Sequence, residues 1–221
     1  MRFQTLFEGR WIFAFLLVLT AGSGYLARAG NPLWYGLLAI ALLLILFCLN
    51  FFRDPERTPP GDPLAILAAA DGVVADITEV EESEVLHRRV KRIGIFLNVF
   101  NVHVNKAPID GKITYLQHHP GLFLDARHAE ATTKNEALTW AFEGARATLV
   151  VRQITGAIAR RIVPWSKLGD TVPRNFRFGM IRFGSRTEVF LPLECQVLVQ
   201  IGDAVKGGLD IIARFPADPA A

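Results

Sequence analysis

The first fifty residues constrain the architecture more than anything after them. Two apolar runs stand there, Trp11 to Leu26 and Leu33 to Phe52, joined by Ala27 to Pro32 with Gly30, Asn31 and Pro32 at the link. A helix needs about 20 apolar residues to cross a bilayer, and the second run has that length. The first is shorter and is interrupted by Gly22-Ser23-Gly24. The pattern predicts an N-terminal transmembrane hairpin over 1–52, with helices at about 11–26 and 33–52. A cleaved signal peptide fits poorly, because a second apolar run follows at once and no convincing small-residue cleavage site precedes it. Arg2 and Arg10 flank one end and Arg53 and Arg57 the other, with Arg28 alone in the turn. Positive residues favour the cytoplasmic side. Both ends, and the domain that follows, are therefore expected on the cytoplasmic face of the inner membrane.

Composition changes after Arg53. Hydrophobic residues are 51% of the whole chain and charged ones 20%, but the apolar excess sits before that point. The net charge of +3 suits an anionic lipid surface. With no Lys/Arg-rich run and no recognition motif, no nucleic-acid partner is expected. Cys48 and Cys195 are the two cysteines, too few for a disulfide framework and consistent with a reducing compartment.

Residues 53–63, RDPERTPPGDP, read as a stiff linker that stops the second helix. From 64 to 221 the pattern is of short strands rich in Val, Ile and Phe. Candidates are Ala75 to Val80, Val85 to Val90, Arg92 to Leu97, Lys112 to Leu116, Ala147 to Gln153, Ala159 to Val163, Gly179 to Phe183, Thr187 to Leu191 and Gln196 to Ile201. Helix is expected only at Asn98 to Val102 and Ala129 to Phe142. The fold class is mainly β, a sandwich or barrel-like domain after a helical hairpin. An internal echo supports it: Leu168-Gly169-Asp170-Thr171-Val172 returns as Ile201-Gly202-Asp203-Ala204-Val205. Gly-Asp turns of this kind resemble the hairpins of biotinyl/lipoyl-type domains, without their Met-Lys-Met carrier site.

Four places carry candidate chemistry. Gly184-Ser185 is a Gly-Ser step between two apolar strands, outside any strand-turn-helix nucleophile elbow. Asp71-Gly72 reads by itself as a β-turn. His103 lies between valines in the amide-rich segment holding Asn98, Asn101 and Asn105. His118-His119-Pro120-Gly121 suits a turn, and the absence of a third ligand at metal spacing leaves no metal site expected.

Taken in order, RDPER, ADGVV, GIFLNVFNVHVNKAPIDGKI, KNEA, GAIARRIVPWSKLGDTVPRNFRFGMIRFGSRTEVFLP and VQIGDAVKGG resemble the short phosphatidylserine decarboxylases from about Phe51 to Leu209. The resemblance implies a proenzyme that cuts itself between Gly184 and Ser185 into a β subunit (1–184) and an α subunit (185–221). Ser185 then becomes a covalent pyruvoyl cofactor. That group would form a Schiff base with phosphatidylserine and act as electron sink while carbon dioxide leaves, giving phosphatidylethanolamine. By position, the implied catalytic residues are Ser185, His103 and Asp71, with Asp71 orienting His103 as base. Longer family members carry H-x-x-H; here the second position is Lys106. Either His103 serves both cleavage and decarboxylation, or Lys106 takes part, in catalysis or in holding the substrate's anionic groups. Asn135 and Glu136 match a family segment without a role that the sequence supplies. A homo-oligomer is left open. The competing reading is a non-enzymatic, membrane-tethered adaptor with a lipoyl-like β-sandwich, which would have no use for backbone cleavage.

Overall fold

A computed structural model describes residues 3–128, 130–157, 161–182 and 184–217. Arg2, Ala129, Ala159, Phe183 and Ala221, which figure in the expectations above, lie outside the described residues. The chain divides into two compact units, 1–56 and 57–221, with the boundary inside the expected linker.

The first unit is helical: α1 (Phe3–Glu8), α2 (Arg10–Ala27) and α3 (Pro32–Phe51). Asn31 caps α3, its side chain accepting from the Leu33 amide at 3.0 Å, and Pro32 occupies the first turn, where its missing N–H costs nothing. In α2, Thr20 and Ser23 donate to the carbonyls of Leu16 and Leu19 at 2.7 Å, which satisfies two hydroxyls inside an apolar stretch. Both α2 and α3 are long and apolar enough to cross a membrane.

The second unit is mainly β. Its strands are β1 (Ala65–Leu67), β2 (Gly72–Glu82), β3 (Arg88–Leu97), β4 (Val104–Lys106), β5 (Gly111–His119), β6 (Ala137–Glu143), β7 (Thr148–Ile154), β8 (Arg161–Pro164), β9 (Thr171–Val172), β10 (Arg177–Arg182), β11 (Ser185–Leu191), β12 (Gln196–Val197), β13 (Ala204–Val205) and β14 (Ile211–Arg214), with one short helix, α4 (Ala131–Lys134). Eight strands form a curled, half-barrel sheet in the order β13-β2-β3-β11-β7-β6-β5-β9. Two three-stranded sheets, β4-β10-β8 and β1-β14-β12, complete the unit. The main core includes Ile93, Ile95, Leu97, Trp140, Phe142, Phe178, Val189 and Leu191. The Phe178 ring meets Trp140 and Phe142 edge-on at 5.0 and 5.2 Å. A smaller cluster of Val90, Ala141, Val150 and Phe190 lies on the sheet's other face.

Several elements differ from expectation. The helix expected at Ala129 to Phe142 is only α4, and Ala137 onward is strand β6. Leu138, Trp140 and Phe142 alternate into the main core while Ala141 joins the other cluster, so a period of two, buried on both faces, outweighs the helix propensity of Ala and Leu. Asn98 to Val102 is a turn: Asn98 Oδ1 accepts from the Phe100 amide and Asn101 Oδ1 from the Asn98 amide. The two strands expected at 85–90 and 92–97 are the single strand β3, because Glu82 caps the amides of Glu84 and Val85 in the preceding turn. Only Gln196–Val197 of the strand expected to Ile201 is extended.

The internal echo is a structural duplication. Val205 pairs with Gly72 and Val172 with Gly111, placing β13 and β9 on opposite edges of the large sheet. In one copy the Gly202 amide donates to Val74 O, and Gly207 to Asp71 Oδ1; in the other, Gly169 donates to Ile113 O, and Arg174 to Asp110 Oδ1. Gly208 and Asn175 occupy equivalent left-handed positions, at φ 72° and 63°. A Cβ on Gly208 would sit 2.0 Å from Asn175 Oδ1, so the two copies abut where the sheet curls.

Candidate active site

Strand β11 begins at Ser185, two residues before the expected Thr187. Ser185 pairs with Leu97 of β3, and pairing to β7 starts only at Arg186, opposite Ile154. The first residue of the strand is thus held by the ladder on one side. Ser185 is fully buried, and among the described residues its Oγ has no hydrogen-bond partner. An unbonded buried hydroxyl is costly and uncommon.

Gly184, just before it, has φ 65°, in the left-handed region that favours glycine. Its carbonyl packs against Gly156: a Cβ there would lie 2.5 Å from the Gly184 oxygen. In the sequence Gly156 figures only as the first residue of the GAIARRIV segment, with no role of its own.

His103 is fully buried. Its Nδ1 lies 3.0 Å from the Asn101 carbonyl and its Nε2 3.3 Å from the Gly184 nitrogen. A carbonyl only accepts and an amide N–H only donates, so these bonds assign the proton to Nδ1. The Nε2 lone pair then faces the Gly184 amide, one residue from the Gly184–Ser185 bond.

Asp71 lies elsewhere in the hydrogen-bond pattern. Its two oxygens take both terminal nitrogens of Arg57, the Nη2 contact at 2.8 Å, and Oδ1 also accepts from the Gly207 amide at 2.9 Å. No hydrogen bond joins it to His103 among the described residues; the Asn101 carbonyl holds the ring instead. Lys106 is buried on β4, opposite Arg177 of β10. Next to it on the strand, Asn105 starts a buried chain of amides. Asn105 Nδ2 donates to Thr187 Oγ1 at 3.1 Å, Gln153 Nε2 to Asn105 Oδ1 at 2.6 Å, and Trp140 Nε1 to Gln153 Oε1 at 2.8 Å. This network braces β4, β6, β7 and β11 beneath the serine.

A cavity of about 220 Å³ opens beside Gly184, lined by Phe96, Asn98, Val99, Asp125, Ala126, Arg127 and Ala157. One wall is the amide-rich turn, the other a loop that Asn135 fastens. Asn135 Nδ2 donates to Leu124 O and Thr155 O, and Oδ1 accepts from the Leu124 amide, all at 2.8 Å. The sequence offered no role for this residue; its three hydrogen bonds go to two residues, 11 and 20 positions away. On the cavity rim, hydrogen bonds from Arg127 hold the Asp125 carboxyl down at about 2. His118 and His119 are not at this site: they meet Glu136 at 3.0 Å and Glu84 at 2.7 Å.

Fold and site together define a class: a β domain following an apolar helical hairpin, with a buried, unbonded serine behind a left-handed glycine whose amide meets a histidine. The chain belongs to the phosphatidylserine decarboxylase family, whose sequence profile matches residues 44–213. It is 44% identical over 209 residues to the phosphatidylserine decarboxylase proenzyme of Carboxydothermus hydrogenoformans, spanning 94% of this chain and 95% of that one. The proenzyme of the same name from Pelobacter propionicus is 43% identical over 206 residues, 92% and 91% of the two chains. That of Geotalea uraniireducens is 42% identical over 184 residues, 83% and 86%. The adaptor reading finds no support in these relationships.

Proposed function

We propose that the chain is a membrane-anchored proenzyme that cuts itself between Gly184 and Ser185 and then decarboxylates phosphatidylserine to phosphatidylethanolamine. The observation that carries this reading is the fully buried Ser185 hydroxyl, unbonded and next to a left-handed glycine beside a histidine lone pair. Such an arrangement suits intramolecular attack better than any structural use of a serine.

In the proposed cut, His103 Nε2 exchanges its contact with the Gly184 amide for the Ser185 hydroxyl and takes that proton as the serine oxygen bonds to the Gly184 carbonyl carbon. The C–N bond breaks and the released nitrogen takes the proton, leaving an ester between the two residues. Loss of the Ser185 α-proton then expels the Gly184 carboxylate. The resulting enamine takes up water and releases ammonia, so the chain 185–221 begins with a pyruvoyl carbonyl. The residues fit such a group: the serine is buried, and a cavity of about 220 Å³ adjoins the cut. The pyruvoyl group supplies the electron sink for decarboxylation. The Asn101 carbonyl keeps the His103 proton on Nδ1, the turn and the 124–127 loop wall the cavity, and Lys106 is assigned to an anionic group of the substrate. Asp71 is assigned a supporting role in the relay through the turn it shares with Arg57 and Gly207. The hairpin anchors the enzyme in the inner membrane with the β unit on the cytoplasmic side, as the Arg2, Arg10, Arg53 and Arg57 flanks favour.

The test is the intact mass of every fragment of the full chain beside a Ser185→Ala control. Two fragments meeting at 184/185, the smaller one blocked by a pyruvoyl group, with the control whole, are expected. A wild-type chain that stays whole in membranes sinks the proposal.

A further inference from the structure

The second residue after the cut, Arg186, is fixed by a buried ion cluster that the chemistry above leaves unused. Arg186 is almost wholly buried. Its Nε donates to Glu188 Oε1 at 2.7 Å, and its Nη2 pairs with Asp76 Oδ2 of β2. Arg92 of β3 joins the same carboxylates, 3.2 Å from Asp76 Oδ1 and 3.7 Å from Glu188 Oε1. Thr132 of α4 donates to Glu188 Oε1 at 3.1 Å. Burial alone would weaken the Arg186 charge, but Glu188 and Asp76 outweigh it and raise its pKa above the ordinary value. Space for the guanidinium is left by Gly94 of β3, where a Cβ would stand 2.1 Å from Arg186 Nη2. Gly94 has no positive φ, so this glycine is required by the arginine and not by the backbone.

The position matters because a cut changes what holds β11. In the whole chain, Ser185 is tethered through Gly184. After cleavage it becomes a chain end, laddered only to Leu97, and chain ends fray. Arg186 is the first residue with neighbours on both sides and the first with a clamped side chain. Resting on the self-processing reading, we propose that Arg186 is a positioning residue: its clamp on Asp76 and Glu188 keeps the newly formed N-terminus, and the reactive group on it, in register after the tether is gone. The clamp therefore serves catalysis by the cut enzyme more than the cut itself.

The experiment compares full-length wild type, Arg186→Gln, Arg186→Lys and Gly94→Ala, each also in the uncut Ser185→Ala background. Intact mass gives the extent of cleavage, hydrogen exchange reads the amides of 186–190, and kinetics use phosphatidylserine in mixed micelles. In cut protein, Arg186→Gln is expected to speed exchange of these amides about tenfold or more and to lower kcat by a similar factor with little change in KM, since both charge-assisted bonds of Arg186 are lost. In the uncut background the same change should move exchange far less. Arg186→Lys should recover part of both. Gly94→Ala, which displaces the guanidinium but keeps every charge, should reproduce the loss if Arg186→Gln does not fold. Equal acceleration in cut and uncut chains, unchanged exchange in the cut variants, or failure of both variants to give folded cut protein would overturn the clamp, reducing the cluster to a folding element. A wild type that never cuts overturns the self-processing reading instead, and shows it in the wild-type masses alone.

Discussion

Ser185 and His103 are two residues whose burial is hard to explain by packing. A serine hydroxyl of this kind is a small polar defect, so replacing it with Ala removes the unpaired oxygen: Ser185→Ala is expected to be no less stable than wild type in denaturant titration while remaining whole. His103→Gln is expected to slow cleavage at least a hundredfold, the usual scale of a lost general base, measured by densitometry of the two fragments over time. Lys106→Met separates the two duties left open for that position. Cleavage should proceed and KM for phosphatidylserine should rise about tenfold or more, whereas an uncut Lys106→Met chain would move the lysine into processing. Far from the site, burial, with a smaller push from Glu194, raises the Cys195 thiol to about 11 from 9.0. The folded state therefore holds this proton more tightly than the unfolded one. The contribution is complete below about pH 9 and is lost as pH rises toward 11, so thiol reagents at pH 8 should label Cys195 only on unfolding.

At the scale of elements, the site is a meeting of strand ends and turns. The end of β7 brings Gly156 against the Gly184 carbonyl, with no room for a methyl group. Gly156→Ala should fold, since its φ needs no glycine, but should shift the scissile peptide and slow cleavage by tenfold or more on the same gel assay. The loop that walls the cavity depends on Asn135. Asn135→Ala strands buried backbone groups of Leu124 and Thr155, a cost of about 2–3 kcal/mol. Its expected signature is faster proteolysis after Arg127 and a raised KM, with cleavage retained.

For the whole molecule, the duplication provides an internal control. Asp71 and Asp110 hold equivalent turns, each accepting a backbone amide at the matching position, and each is paired with an arginine, Arg57 or Arg174. Only the Asp71 copy carries the proposed relay role. Asp110→Asn and Asp71→Asn should both lose stability, but only Asp71→Asn should slow cleavage. Equal loss of stability with normal cleavage in both would reduce Asp71 to a turn residue. The membrane arrangement is tested by fusing a reporter that works only in the cytoplasm to the C-terminus; activity there is expected, and its absence would reverse the proposed topology.

What the sequence by itself determined about this protein is whatever local chemistry writes plainly. The hairpin helices, most of the strands and the Gly-Asp turns come from runs, alternation and glycine, each readable within a few residues. The Gly184–Ser185 step and His103 were legible through the family pattern, since alone each looks like a turn or a core residue. Tertiary structure decided the rest. Strand β6 is a strand because both its faces find partners, which no window of seven residues reveals. The contact of His103 with Gly184, the anchoring by Asn135 and the pairing of Arg186 with Asp76 join atoms 81, 11 and 110 positions apart in the chain. Burial strips water from those groups, so which distant neighbour replaces it decides whether a serine is a defect, a turn or a reactive centre.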